Sequence, residues 1–234
     1  MAREEFLKNL RLAARHLESF DESERVNRRE AVYVLTLPTA DLWLTTKAVD
    51  GFDAEEFTDL APAEREELRA NVASFREITE AIPPDEPAPK AKSRRARKHL
   101  ERIIEIVRKP VLEEWLAAQE RMIGEAVEAA KSRHWHVERG EKQVVEGFLG
   151  RYTAPRLHIF ASPDGGVVLN PVARFAANGK GVVDVAVMPT YDTAAMLMLD
   201  GGQWRIARHG LDRGRPFSGE RLVAQITRLM HNNE

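Results

Sequence analysis

The chain of 234 residues contains no cysteine. That absence excludes disulfides, thiolate zinc sites, iron–sulfur clusters and cysteine nucleophiles together. No apolar run approaches the roughly 20 residues that a membrane-crossing helix needs. The first five residues, Met1 to Glu5, are charged and lack the apolar stretch of a secretory leader. Aromatic residues are few, at 7%, so surfaces for base stacking have few sources. An excess of either charge is missing too, with 35 Lys+Arg against 37 Asp+Glu, so no global field steers a charged partner. These absences point to a cytoplasmic protein with no membrane partner, no cofactor and no metal.

Catalytic signatures are also missing. Gly179-Lys180-Gly181 lacks the flanking residues of a phosphate loop and reads as a hairpin turn. Ser162 and Ser218 fall at turn or cap positions, outside any nucleophile-elbow context. The alternation of strands and helices in a nucleotide-binding fold is absent, and there is no internal repeat.

What is present is a segregated charge pattern. Asp50 to Pro89 holds twelve acids and three bases, a local balance of −9. Lys90 to Lys109 holds nine bases and two acids, a local balance of +7. The prolines of Ile82–Pro89 (IPPDEPAP) lie just before this reversal and mark a linker. They divide a region 1–89 from a region 90–234.

Apolar spacing predicts a helix over residues 3–20, with Phe6, Leu10, Ala13, Leu17 and Phe20 on one face. Ala31–Leu37 and Leu42–Leu44 read as a short strand pair. Pro62 opens a helix to about residue 81. Ser93 is a candidate cap for the next helix. Pro110 then separates two helices of roughly 15 and 20 residues, the second ending near Ala130.

Beyond Arg133 the period changes to that of strands. Leu157–Ala161, Gly166–Val172, Val182–Met188, Ala194–Leu199 and Trp204–Ala207 alternate with turn residues, and Trp135–Arg139 adds an edge strand. The runs VVDVAVM and AAMLML are apolar at almost every position, so these strands lie centrally, covered on both faces. Ser218 caps a last helix. The fold class is therefore α+β: a mostly helical N-terminal half, then a five- to six-stranded antiparallel meander sheet with a C-terminal helix.

Two constellations carry chemistry. Arg94, Arg95, Arg97, Lys98 and Arg102 crowd the start of a helix, where cations oppose the helix dipole. An anion offsets that opposition, either an outside phosphate backbone or the chain's own acids, including an Arg97–Glu101 pair. The first reading is thus a non-catalytic interaction protein that binds nucleic acid through this face and dimerises through its long helices. The second constellation is Asp184 inside an apolar strand, with His158, Arg174, Tyr191 and Asp192 nearby in the meander. It suggests a hydrolase-type pocket at the sheet edge, or a structural role for Asp184 paired with Arg174. The strand after Asp184 has no acid and no Lys, which argues against a metal-dependent nuclease. His134, His136 and Glu138 share one side of an edge strand and invite a metal test, although spacing alone is weak evidence. A third reading uses the acidic 50–89 segment to neutralise a basic partner.

Overall fold

The structure is a computed structural model. It describes residues 3, 5–14, 49, 52–82, 90–163, 165–176, 180–208 and 213–231. The expected strand pair at Ala31–Leu37 and Leu42–Leu44, and residues 83–89 of the linker, lie outside the described residues. The chain forms two compact units, Met1–Val111 with Gly147–Leu149, and Leu112–Glu146 with Gly150–Glu234.

In the first unit, residues 5–14 form helix α1, whose Phe6, Leu10, Ala13 and Ala14 are buried as their spacing requires. Phe6 meets Phe52 and Phe57 with ring centroids 5.3 and 5.6 Å away. Helix α2 (Pro62–Glu80) starts on Pro62, and the Glu64 carboxylate accepts the free Ala61 N–H at 3.1 Å. Its stripe of Leu68, Val72 and Phe75 is buried with Leu100 and Ile103 from the next helix.

That helix, α3 (Lys90–Lys131), runs unbroken for 42 residues with Pro110 inside it. Two helices were expected here, and Ser93 as a cap; instead Ser93 sits inside the first turn. Proline forfeits one backbone hydrogen bond in a helix interior, at about 3 kcal/mol. Ile106, Val107 and Val111 are buried on either side of it, so both flanks are held helical by packing.

The second unit is a seven-stranded sheet in the order β1-β2-β3-β4-β5-β6-β7, each neighbour antiparallel. The strands are β1 (His136–Glu146), β2 (Gly150–Ser162), β3 (Gly165–Ala173), β4 (Gly181–Met188), β5 (Asp192–Asp200), β6 (Gln203–Ala207) and β7 (Arg215–Pro216). The meander and its closing helix α4 (Gly219–His231) match the fold class read from the sequence. The count is higher because β7 adds a two-residue edge, and β1 and β2 run longer than expected. The turn Asp200-Gly201-Gly202 needs both glycines, at φ +56° and +77°. Ser218 Oγ accepts Arg221 N–H at 3.3 Å, capping α4 as expected.

One face of this sheet is the core. Leu157, Ile159, Val167, Leu169, Val183, Val185 and Leu197 are all buried there. Trp115 and Trp204 stack at 5.6 Å, and Trp204 Nε1 donates to the Ala118 carbonyl at 3.0 Å. These contacts tie the second half of α3 to the sheet. Gly181 is required for the same reason, since a Cβ there would lie 2.4 Å from the Trp115 ring. No helix among the described residues is long and apolar enough to cross a membrane.

Candidate functional site

The basic start of α3 is answered largely from inside its own unit. Lys92 Nζ donates to the Ala81 carbonyl at 3.0 Å, just past the end of α2. Arg97 Nε donates to Glu101 at 2.7 Å, the expected i,i+4 pair. Arg102 grips Glu67 of α2 with Nε and Nη2, at 2.7 and 2.9 Å, while Nη1 donates to Glu105 at 2.7 Å. The Arg102 hydrogen bond holds the Glu67 carboxyl below its ordinary value, and its partners push the guanidinium up. Lys109 reaches Glu64 at 3.4 Å. The acidic segment is engaged in return, with Glu55 beside Arg65 and Arg69, and Asp59 paired to Arg3. Among the described residues of that segment Glu55, Asp59, Glu64, Glu66 and Glu67 are ion-paired, while Glu56, Glu77 and Glu80 have no ion pair.

Three exposed cations of the run stand apart, and half-buried Arg108 is likewise unpaired among the described residues. Arg94, Arg95 and Lys98 are exposed and have no hydrogen-bond or ion-pair partner among the described residues. At 3.6 residues per turn they fall within about 100° of arc on one stripe of the helix.

The second constellation splits. Tyr191 ends the exposed turn after the cis Met188–Pro189 bond, at φ +61°, and exposed Asp192 begins β5. The Asp192 backbone N–H donates to Thr190 Oγ1 at 3.4 Å. Arg174 follows β3, where its N–H donates to Glu146 at 2.8 Å and its guanidinium lies over Phe175. Asp184 takes its hydrogen bond from Thr193 Oγ1 at 3.3 Å, rather than from the Arg174 suggested by the sequence. The five candidates do not gather around one reacting centre.

Asp184 and His158 do share a sheet face, the one opposite the core. Pairings of His158 with Val168, Val168 with Ala186 and Asn170 with Asp184 place them two strands and two residues apart. That is about 12 Å between backbones, too far for direct contact. Two side chains that the sequence reading missed stand in the same area. Arg156 precedes His158 by two positions on β2, and Lys142 lies on β1 with Nζ donating to the Pro171 carbonyl at 2.8 Å. Arg156 Nε and His158 Nε2 are shielded from solvent and hydrogen-bond to nothing among the described residues. A buried polar group left in this state costs about 1–3 kcal/mol.

Burial raises the Asp184 carboxyl above its ordinary value, against the Thr193 hydrogen bond and the Lys142 charge. Burial first, and the Arg156 charge second, lower Lys142 and His158. A groove of about 410 Å³ at the β1–β2 edge is lined by Leu116, Glu120, Ile123, Arg139 and Arg156 among others, and Asp184 is not part of its lining.

A third polar group was invisible in the sequence. Trp115 Nε1 donates to the Tyr152 hydroxyl at 3.2 Å, and that hydroxyl donates to Glu146. The same carboxylate accepts the N–H groups of Arg174 and Phe175 at 2.8 and 3.1 Å. Burial, then the Glu146 contact, pushes the Tyr152 hydroxyl well above the usual tyrosine range. This relay ties β1, β2 and the segment after β3 together, and it is structural.

His134 lies in a turn at φ +59°, off the strand, and His136 Nε2 faces Glu138 Oε1 at 3.1 Å. The described residues contain no cluster of three His, Cys, Asp or Glu placed to hold a metal ion. Comparison with family models, with curated proteins and with solved structures found no match to this chain.

Proposed function

We propose that this protein is a non-catalytic interaction protein that binds nucleic acid through the start of helix α3. The contact is made by Arg94, Arg95 and Lys98. One observation carries the reading: these three cations form an exposed stripe without internal partners, while Lys92, Arg97, Arg102 and Lys109 have found theirs. Flexible cations on a helix stripe suit phosphate oxygens, which need charge rather than a shaped pocket. No aromatic side chain interleaves with them, so the contact is to the backbone and carries little sequence preference. Arg97 and Arg102 are positioning residues here: their pairs with Glu101, Glu105 and Glu67 hold the helix start in place.

The test is a fluorescence-anisotropy titration of labelled duplex DNA and RNA with wild type and with the triple variant Arg94→Ala, Arg95→Ala, Lys98→Ala. The reading predicts binding to wild type that the triple variant loses. Equal binding by both proteins, or none by wild type at low salt, refutes it.

A further inference from the structure

The sheet face opposite the main core is itself partly covered, with Val168, Val182 and Ala186 buried on it, and it also carries unsatisfied polar side chains. Arg156 and His158 are successive side chains on this face of β2, about 7 Å apart along the strand. Each holds a ring or guanidinium nitrogen, Nε2 and Nε, away from solvent with no partner among the described residues. Folded proteins leave few such atoms unsatisfied, and two on adjacent positions of one face call for an acceptor. Lys142 approaches from β1, anchored on the Pro171 carbonyl and close enough to Arg156 for their charges to interact. Two carboxylates lie close by, Glu138 directly across from His158 and Asp184 within charge range of Lys142, but their hydrogen bonds go to His136 and Thr193. Three nitrogen groups thus face one area and none is neutralised by a direct ion pair there. Burial and mutual repulsion depress Lys142 and His158, against the weaker opposing pull of Asp184 on Lys142 and of Glu138 on His158.

We propose that Arg156, His158 and Lys142 form a binding site for the phosphate group of a small phosphorylated molecule. A tetrahedral phosphate offers oxygens in several directions to donors on two different strands, whereas a carboxylate offers only two in one plane. With its proton on Nε2, neutral His158 donates to the anion beside the two cations. Phe160 stands next to these donors, its ring centroid 6.3 Å from that of His158 and 5.5 Å from that of His136. It supplies an apolar wall for the remainder of the ligand. The site shares no residue with the α3 stripe, so each stands or falls alone.

The test is calorimetric titration of the full chain with inorganic phosphate and with ribose 5-phosphate, and with acetate as the carboxylate control. Phosphate should bind saturably to wild type, with acetate at least about tenfold weaker. Arg156→Gln and Lys142→Met should each weaken phosphate by about tenfold or more, while the triple variant of Arg94, Arg95 and Lys98 binds as wild type does. Lys142→Met keeps the aliphatic stem and serves as the second probe if Arg156→Gln fails to fold. In a parallel NMR titration the His158 ring nitrogens should shift with the same saturation curve. No saturable binding at about 10 mM phosphate means that water alone satisfies the donors and overturns the site. Equal affinity for acetate, or binding that survives both substitutions, overturns it as well.

Discussion

Gln119 offers the sharpest test of the packing in the sheet unit. Its side chain is fully buried, at 0% exposure, and neither Nε2 nor Oε1 has a hydrogen-bond partner among the described residues. An orphaned buried amide costs about 1–3 kcal/mol in lost hydration. Methionine has nearly the same length and volume, makes no such demand, and fills irregular space well. Volume-conserving exchanges in a core cost under about 1.5 kcal/mol in repacking. Gln119→Met should therefore stabilise the protein by about 1–2 kcal/mol, which moves a midpoint by about 2–8 °C in a chain of this size. Urea unfolding followed by circular dichroism, with a thermal melt alongside, reads the change. A destabilised variant would refute the reasoning, because it would mean that the amide is satisfied and contributes to the fold.

Other outcomes follow from the same geometry. Tyr152→Phe removes the acceptor of the Trp115 indole N–H and a donor to Glu146, so it should lower stability by about 1–3 kcal/mol in denaturant melts. Gly181→Ala forces a Cβ to within 2.4 Å of the Trp115 ring and should cost about 1–3 kcal/mol with altered near-ultraviolet dichroism. Because burial raises the folded-state carboxyl of Asp184, the unfolded chain releases that proton first. Stability linked to this group is complete below the ordinary carboxylate range and is lost as pH rises through the folded value. Asp184→Asn should therefore be more stable than wild type at neutral pH, with the difference vanishing in acid; a pH series of melts checks it.

The parts of this protein that were legible in its sequence are those where one physical demand dominates. VVDVAVM and AAMLML are apolar because β4 and β5 are buried on both faces, so the meander could be read directly. Gly201 and Gly202 announce a turn that needs positive φ twice, and Ser218 announces a helix start. Only the outer ends of the first hairpin, Trp135–Arg139 and Leu157–Ala161, were read, and its middle was hidden for the opposite reason. Most of β1 (HVERGEKQVVE) is solvent-facing, so no alternation marks it. Pro155 interrupts β2, yet it is tolerated because residues 150–156 pair with β1 alone and the β3 ladder begins only at Leu157. Lys142 and Arg156 sit in that unread middle stretch, so Asp184 was noticed as a polar residue in an apolar run while its neighbours were not. Pro110 misled in the other direction, since buried residues on both sides carry α3 through it. At the basic run the charge reversal and the Arg97–Glu101 pair were legible, but which cations would meet Glu64 and Glu67 depended on how α2 and α3 pack.

The salt dependence of nucleic-acid binding weighs the central claim most directly. Three available cations predict a log–log slope of about −2.7 on duplex DNA, a loss of about 40-fold between 50 and 200 mM salt. Five cations would give about −4.5 and a loss of about 500-fold. A slope near −2.7 that flattens in the Arg94, Arg95 and Lys98 triple variant is the expected result. Affinity indifferent to salt, or a slope unchanged by removing those three side chains, would contradict it.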